Sequence, residues 1–246
     1  MRAFHLSALL SLRKTSCNHI IFNLFSPFLF MSKDNQEEVW DSIAKEWVEF
    51  RVTPIPEVKE FLKNKKGRIL DLGCGSGRNF LEKKGLEFYG VDFSKEMVKK
   101  AKKKPYKKVI KAYAWKIKFP DNFFDSALYI SALHCIPSEE NREKSLTELT
   151  RVLKPKARAF ISVWDKEQPK FKGKGKEVYL KWMLGKERKE SYVERYYKLY
   201  TKKEIIKLLE KHFKIVKILG KEMSKKDKVA SRFSRRNLNI EVEVKK

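Results

Sequence analysis

The chain has 246 residues, a hydrophobic content of 42% and a formal net charge of +26. This length suits one globular domain of the larger kind, or one domain with a tail. The basic excess favours a polyanionic partner, either nucleic acid or an anionic membrane, although a lysine-rich solvated surface fits the charge equally well. Cys17, Cys74 and Cys135 form no Cys-x-x-Cys pair, which argues against a disulfide framework and a cysteine zinc site. We expect no metal and a reducing, cytoplasmic setting.

The first 33 residues differ from the rest, because they carry basic residues and no acid. Their apolar stretch, 19–31, is too short to span a bilayer and is interrupted by Asn23, Ser26 and Pro27. This segment fits an organelle transit peptide or, as a third choice, a signal anchor. We favour a true start at Met31, since "MSKDNQEEVW" is typical of an ordinary N-terminus. We therefore predict a disordered extension over 1–33 and one domain over 34–246.

The domain begins with helical signals. Asp34 and Glu37 predict a capping box, and the helix that follows has an apolar face containing Trp40 and Trp47. Pro56 predicts the start of a second short helix, which runs to residue 61. Apolar runs then predict strands at 68–72, 86–91, 108–112, 124–130 and 158–164, with helical stretches near 77–83, 94–103 and 138–153 between them. This alternation is typical of parallel strands covered by helices.

The C-terminal third has weaker patterns. A Lys/Gly-rich segment at 165–177 predicts a mobile loop. Thr201 and Glu204 predict a capped helix that runs to His212, followed by strands at 214–219 and 238–244. The last strand alternates strictly between apolar and polar residues. This predicts an antiparallel strand near a sheet edge, with one face in water.

The stretch "ILDLGCGSGRNF" predicts a ligand site between the first strand and a helix. Its glycines are Gly73, Gly75 and Gly77, and position 78, where a dinucleotide fingerprint needs a third glycine, is Arg. No Walker lysine follows. Asp92 ends the next strand, where an acid accepts both hydroxyls of a ribose. The pattern therefore predicts a nucleoside with a charged tail.

At this point the sequence resembles the class I S-adenosylmethionine-dependent methyltransferases. The matching stretches are "LDLGCGSG", "GVDFS", "AWKIKFPDNFFDSALYISALH" and "ELTRVLKPKARAFISVW". The resemblance implies a Rossmann-like α/β fold, with a mostly parallel seven-stranded sheet, one antiparallel strand and helices on both faces. It implies S-adenosyl-L-methionine as cofactor. The cofactor-binding residues that it implies are Asp71, Gly73, Gly75, Gly77, Asp92, Phe93, Ala114, Trp115 and Ser131.

Two positions depart from that family's pattern. Tyr113 stands where many relatives have an Asp that reaches the adenine amino group, so that hydrogen bond is lost or replaced. Lys156 and Ala157 replace a usual Gly-Gly turn, which we expect to affect a loop more than the site.

Further stretches resemble a narrower group. The stretches "IAKEWVEFRVTPIPEV", "LHCIPSEENREKSLTELTRVLKP", "VWDKEQPKF" and "ERYYKLYTKKEI" are similar to the tRNA methyltransferases that esterify carboxymethyluridine at the wobble position, including the methyltransferase domain of the AlkB-homologue tRNA hydroxylase. The resemblance implies the tRNA anticodon loop and a small zinc-binding activator protein as partners, and no membrane. It implies substrate-side roles for Arg51, His134, Arg142 and Tyr197, with Tyr196 beside it. Cys135 replaces a family histidine and Asn141 replaces a family arginine.

The residue types fit this chemistry. A carboxylate has a pKa near ~4 and is already a nucleophile at neutral pH, so alignment matters more than a general base.

Each assignment also has a structural alternative: His134 as a buried histidine, Arg51 and Arg142 as surface charges, and Tyr197 as a core aromatic. The rival functions are a small-molecule methyltransferase acting on a quinone or lipid intermediate, and a non-catalytic RNA-binding protein on a degenerate methyltransferase fold.

Overall fold

The structure is a computed structural model, and it describes residues 35–49, 52–184, 191–219 and 236–245. The predicted extension over 1–33, Asp34 and Arg51 lie outside this part. The helices are α1 (Gln36–Glu49), α2 (Pro56–Leu62), α3 (Lys95–Ala101), α4 (Glu139–Val152) and α5 (Lys202–Glu210). The strands are β1 (Gly67–Leu72), β2 (Leu86–Asp92), β3 (Lys108–Lys111), β4 (Phe124–Ile130), β5 (Leu153–Trp164), β6 (Glu177–Met183), β7 (Tyr192–Lys198), β8 (Phe213–Leu219) and β9 (Asn237–Val244). None of the described helices has the length and apolarity needed to cross a membrane.

The main sheet has seven strands in the order β3-β2-β1-β4-β5-β9-β8. The pairs among β1 to β5 are parallel, whereas β9 runs antiparallel to both β5 and β8. The chain order reverses at β1, so the ends of β1, β2 and β4 meet at a topological switch point, where open α/β sheets bind ligands. The predicted fold class is confirmed.

Both faces of the sheet are covered by helices, as side-chain alternation along the strands shows. In β1, Leu70 packs with residues of α4 and α5, whereas its neighbour Ile69 packs with Val58 and Leu62 of α2. Nearly continuous burial on both sides explains why these strands read as unbroken apolar runs. Most predicted strands and the helix near 138–153 are confirmed, the latter with Ser138 accepting a capping hydrogen bond from the Asn141 backbone.

Two predictions about local structure are wrong, those for residues 77–83 and for the wet face of β9. Residues 77–83 form turns and irregular backbone instead of a helix, because Phe80 packs on Phe88 and Tyr106 and the chain bends to place it there. The predicted loop over 165–177 is confirmed as turns and irregular backbone up to residue 176, with a short 3₁₀ turn at Pro169–Phe171, and its mobility stays a prediction. It leads into the hairpin β6–β7, which sequence patterns did not reveal. The predicted wet face of β9 is largely covered, and Glu241 and Glu243 pair with Arg158.

Helix α1 packs beside the hairpin and the start of α3. Gln36 of α1 pairs with the free edge of β7: its Nε2 donates to the Glu194 carbonyl at 3.1 Å, and its Oε1 accepts from the Tyr196 N–H at 3.0 Å. Asp41 of α1 accepts hydrogen bonds from the Ser94 hydroxyl and the Glu96 N–H at the start of α3. These contacts hold α1 beside the carboxyl ends of the parallel strands.

Candidate active site

A cavity of about 280 Å³ lies at the carboxyl ends of β1, β2 and β4. Its wall combines the glycine turn, the ends of the parallel strands and helix α1. The predicted residues on this wall are Gly73, Gly75, Asp92, Phe93, Ala114, Trp115 and Ser131.

The glycine turn brings backbone to the cavity. The N–H groups of Gly73 and Cys74 both donate to the Val91 carbonyl, which holds the turn against the end of β2. Gly73 has φ +69°, and a Cβ there would stand 2.2 Å from the Ala132 Cβ. Gly75 has φ +53°, and a Cβ there would meet no atom within 4 Å. Only glycine suits both positions, and beside Gly75 there is room for ligand atoms against bare backbone.

Asp92 lies beside the turn at the end of β2. One carboxylate oxygen accepts from the Gly75 N–H at 2.8 Å and the other from the Ser94 N–H at 2.9 Å. Burial raises the pKa of Asp92 to about 6, although these backbone donors oppose the shift. Each carboxylate oxygen keeps a further lone pair for a hydroxyl donor. The geometry thus fits the predicted ribose contact.

Asp71 and Gly77 lie behind the cavity wall. The Tyr106 hydroxyl donates to one oxygen of Asp71 at 2.7 Å, and the other oxygen has no partner among the described residues. Burial raises the pKa of Asp71 to about 7. A Cβ on Gly77 would stand 3.0 Å from the Tyr106 ring. In the structure both residues support the turn, and their direct contact with a methionine end stays a prediction.

The far end of the cavity is built by the segment after β3. The rings of Tyr113 and Trp115 stack with centroids 4.6 Å apart, and Phe93 lies beside Tyr113 at 6.2 Å. Glu37 of α1 closes this end, because its carboxylate accepts from the Tyr113 hydroxyl at 2.8 Å. A flat, apolar slot next to Asp92 suits a purine attached to the ribose.

The opposite end lies after β4. Ser131 has φ +55°, an unusual conformation for a residue with a Cβ, and it lines the cavity. This end of the cavity is also lined by Cys135, Ile136, Pro137, Trp40 and Trp47. The Cys135 thiol donates a hydrogen bond to the Ser131 carbonyl at 3.4 Å. Backbone strain of this kind concentrates at functional sites.

His134 lies behind that wall and is only 1% exposed. Its Nδ1 accepts from the Trp164 N–H at 3.2 Å, and its ring packs against the rings of Trp164 and Tyr197. Burial and the nearby Lys170 ammonium lower its pKa to about 3, so the ring is neutral at physiological pH. Its predicted contact with substrate remains untested.

Arg142 and Tyr197 also lie behind the cavity. Arg142 donates to the carbonyls of Ile136 and Pro137 at 2.7 and 2.8 Å and to the Tyr196 hydroxyl at 3.1 Å. Tyr197 stacks on Trp164 with centroids 4.1 Å apart, and its hydroxyl accepts from Arg195. Arg142 thus anchors the loop that forms the cavity wall, and Tyr197 belongs to the aromatic layer beneath it.

Sequence reasoning missed the contribution of α1 to the site. The helical spacing of Trp40 and Trp47 predicts packing residues, yet both also line the cavity, as Glu37 does. Arg78, which occupies the place of a dinucleotide glycine, lines the cavity and donates from Nε to the Thr53 carbonyl at 2.9 Å. The basic residue at position 78 was a usable signal, because a fixed cation beside a glycine turn suits an anionic tail.

The residues present fit S-adenosylmethionine. The bare backbone at Gly75 leaves room for the charged tail. The Asp92 carboxylate can accept hydrogen bonds from the ribose hydroxyls, and the slot by Trp115 offers a surface for the purine. When bound, this cofactor supplies an electrophilic methyl group. The chain's own residues bind and orient it at the switch point of the sheet.

Comparisons with known proteins agree with this geometry. Residues 70–161 match the methyltransferase domain family. A tRNA (carboxymethyluridine(34)-5-O)-methyltransferase of Xenopus tropicalis is 32% identical over 61% of this chain and 24% of its own length. The enzyme of the same name from Schizosaccharomyces pombe is 29% identical over 70% of this chain and 85% of its own length. The chain therefore spans about a quarter of the Xenopus relative but most of the yeast one.

Solved structures share the fold. A Methanosarcina mazei S-adenosylmethionine-dependent methyltransferase superposes with a TM-score of 0.62 at 22% identity, covering 78% of this chain and 99% of that one. A Haloferax volcanii methyltransferase, solved in complex with the Trm112 methyltransferase activator, gives 0.60 at 17% identity and covers 87% and 97%. Residues 70–161 therefore match a methyltransferase domain, the fold is that of S-adenosylmethionine-dependent methyltransferases, and the chain resembles the tRNA carboxymethyluridine methyltransferases.

Proposed function

We propose that the chain methylates a carboxylate oxygen on a carboxymethyl-type modified uridine at the wobble position of tRNA. The names of the Xenopus and yeast relatives motivate the acceptor. The observation that carries the proposal is the composition of the cavity wall after β4, where the methyl group would leave the cofactor.

That wall offers no general base among the described residues. It is formed by Ser131, Ala132, Cys135, Ile136 and Pro137 with the indoles of Trp40 and Trp47. The nearest histidine, His134, is buried with its Nδ1 occupied by the Trp164 N–H. A hydroxyl or ring-nitrogen acceptor requires a proton to leave, whereas a carboxylate is ionised at neutral pH. The apolar wall therefore favours an acceptor that is already an anion.

The chain's contribution is alignment and exclusion of water. Trp40 and Trp47 provide flat apolar surfaces on which an unpaired base can stack. Arg142 holds the Ile136–Pro137 backbone in place and acts as a positioning residue, as do His134 and Tyr197 through the layer behind that wall. Arg51 is proposed, from the family resemblance, to orient one carboxylate oxygen while leaving the other free to attack.

The proposed partners follow from the same reasoning. A net charge of +26 complements the phosphates of a tRNA anticodon stem and loop. A small zinc-binding activator is proposed by resemblance, and the Haloferax protein provides a precedent for an activator on this fold.

The chemical identity of the product provides the first test. With methyl-labelled cofactor and tRNA, we expect a methyl ester, which mild alkali releases as labelled methanol, and mass spectrometry of nucleosides should locate it on a carboxymethyl-type uridine. Label that survives alkali on the base or ribose contradicts the carboxylate acceptor. Label that enters a small-molecule extract but never tRNA favours a quinone or lipid substrate, and failure to bind cofactor favours a non-catalytic protein.

Substitutions refine the same experiment. Arg51→Ala should lose activity by roughly 100-fold or more through misalignment, whereas His134→Asn, which keeps an acceptor for the Trp164 N–H, should retain a measurable rate. Arg158→Ala is the control, because Arg158 pairs with Glu241 and Glu243 outside the cavity and should leave the rate unchanged. Complete loss in His134→Asn with an intact fold would contradict a purely positioning role for His134.

A further inference from the structure

At the mouth of the cavity, the Glu37 carboxylate of α1 joins that helix to the end of β3 and to the segment after it. The Tyr113 hydroxyl donates to Oε2 of Glu37 at 2.8 Å, and the Lys111 ammonium forms an ion pair with Oε1. These residues stand 74 to 76 positions apart in the chain, so the contact exists only because α1 docks here. Tyr113 is 41% exposed, which places the contact at the entrance.

The strand order places this carboxylate beside the purine. The glycine turn follows β1, Asp92 ends β2, and β3 is the outermost neighbour of β2. A nucleoside whose ribose is bound by Asp92 and whose tail lies at the glycine turn must direct its base toward the end of β3. The residues there that line the cavity are Tyr113, Ala114 and Trp115, together with Glu37 from α1.

The chemistry of the base requires an acceptor at this point. The exocyclic amine of adenine donates hydrogen bonds, and the family resemblance places Tyr113 where many relatives have an aspartate. Tyr113 has no carboxylate, and its hydroxyl donates a hydrogen bond to Glu37. Each oxygen of a carboxylate has two lone pairs, so Glu37 can accept from the amine while it holds both existing partners.

We propose that Glu37 is the adenine-specificity residue of this enzyme: its carboxylate, fixed by Tyr113 and Lys111, accepts a hydrogen bond from the exocyclic amine of the cofactor. The acid missing from the segment after β3 is thereby supplied by another element, α1. A charge-assisted hydrogen bond of this kind discriminates strongly against a ligand that presents an acceptor in the same place, because two acceptors then face each other.

Calorimetry with two ligands tests the proposal without catalysis. S-adenosylhomocysteine carries the amine, whereas S-inosylhomocysteine carries a carbonyl oxygen at that position and a hydrogen on the adjacent ring nitrogen, N1. We expect the wild type to bind the adenosyl compound at least about tenfold more tightly, corresponding to about 1.4 kcal/mol. Glu37→Gln should reduce this preference to about threefold or less, since an amide both donates and accepts. Tyr113→Phe should reduce it by a smaller factor, because Glu37 loses one of two groups that orient it.

Glu38→Gln is the matched control, because it removes the same charge from the next, exposed position of α1 and should keep the wild-type preference. The ratio of two affinities in each variant separates recognition from any general loss of binding, and thermal unfolding checks the fold. Equal binding of both ligands by the wild type overturns the proposal. So does an unchanged preference in Glu37→Gln, or a preference that Tyr113→Phe abolishes while Glu37→Gln keeps it. None of these outcomes depends on which molecule accepts the methyl group.

Discussion

Two buried acids beneath the glycine turn illustrate how single residues are held ready for a ligand. Asp92 and Asp71 are 7% and 1% exposed, and burial raises the pKa of both. Asp71 keeps one oxygen without a partner in the part of the chain that the structure describes. An ionised carboxylate in such a place is costly until donors satisfy it. Ribose hydroxyls would provide such donors at Asp92. Ligand binding would therefore offset part of the free energy that burying this carboxylate costs.

Cofactor affinity should therefore depend on pH. The pKa of Asp92 is raised to about 6 without ligand, and hydroxyl donors favour the ionised form, so affinity should be full above about pH 7. Below pH 6 we expect it to fall by up to about tenfold per pH unit as Asp92 takes up a proton. Calorimetry with S-adenosylhomocysteine between pH 5 and 8 measures this.

Neighbouring acids must be separated from Asp92 in that experiment. Repulsion by the Asp41 carboxylate contributes to the raised pKa of Asp92, and repulsion by Asp92 contributes to the raised pKa of Asp71. Asp71→Asn keeps an acceptor for the Tyr106 hydroxyl and should leave the decline in place, whereas Asp92→Ala should bind weakly at every pH. A flat profile in the wild type, or a decline that Asp71→Asn removes, contradicts the assignment to Asp92.

At the scale of elements, the site depends on how α1 and the hairpin β6–β7 dock. The Trp40, Trp47 and Trp182 rings form a continuous contact, with centroids 5.0 and 5.4 Å apart, that joins α1 to β6. Gln36 extends this junction by pairing with the backbone of β7 through both atoms of its amide. Because α1 carries Glu37, Trp40 and Trp47 to the cavity, this junction decides the shape of both ends of the site.

Removing the Gln36 amide should loosen this docking. Gln36→Ala leaves a backbone N–H and a backbone carbonyl of β7 without partners, and we expect a loss of about 2–4 kcal/mol in the free energy of unfolding, measured in urea. Gln36→Glu keeps the acceptor for the Tyr196 N–H but sets a carboxylate oxygen against the Glu194 carbonyl at a buried position, so it should also lose stability at neutral pH. Lys45→Ala, an exposed position of the same helix, serves as control. Equal stability of Gln36→Ala and the control would show that the docking does not depend on this pair of hydrogen bonds.

For the whole molecule, charge is distributed unevenly along the chain. Glu96 is the only acidic residue from Lys95 to Lys118, and this segment contains α3 and the edge strand β3. The other edge strand, β8, lies beside α5, which carries Glu204 and Glu210 as well as three lysines. A polyanion bound over the cavity mouth would meet the β3 edge, because residues 113–115 lie on that side.

Binding of tRNA should therefore fall steeply and linearly with salt on a double-logarithmic plot. Replacing Lys100, Lys102 and Lys103 together by Ala should lower the magnitude of the slope by roughly two to three, about one for each phosphate that a lysine no longer neutralises. The matched triple variant at Lys202, Lys203 and Lys207 of α5 should keep the wild-type slope. Filter binding over a salt series measures both. A flat dependence supports general solvation as the role of the lysines, and equal effects of the two triple variants contradict a binding face at the β3 edge.

The sequence by itself determined the parallel α/β core and the glycine turn with Asp92, because these follow from local rules: apolar runs buried on both faces, positive φ at glycine, and an acid at a strand end. Tertiary structure decided what local patterns do not encode. Residues 77–83 follow the packing of Phe80 rather than helical propensity. The hairpin β6–β7 owes its stability to its pairing and to α1. His134 became a buried, neutral ring because Trp164 and Tyr197 enclose it. Glu37 reached Tyr113 only through the docking of α1, since a contact between distant segments depends on how complete elements pack.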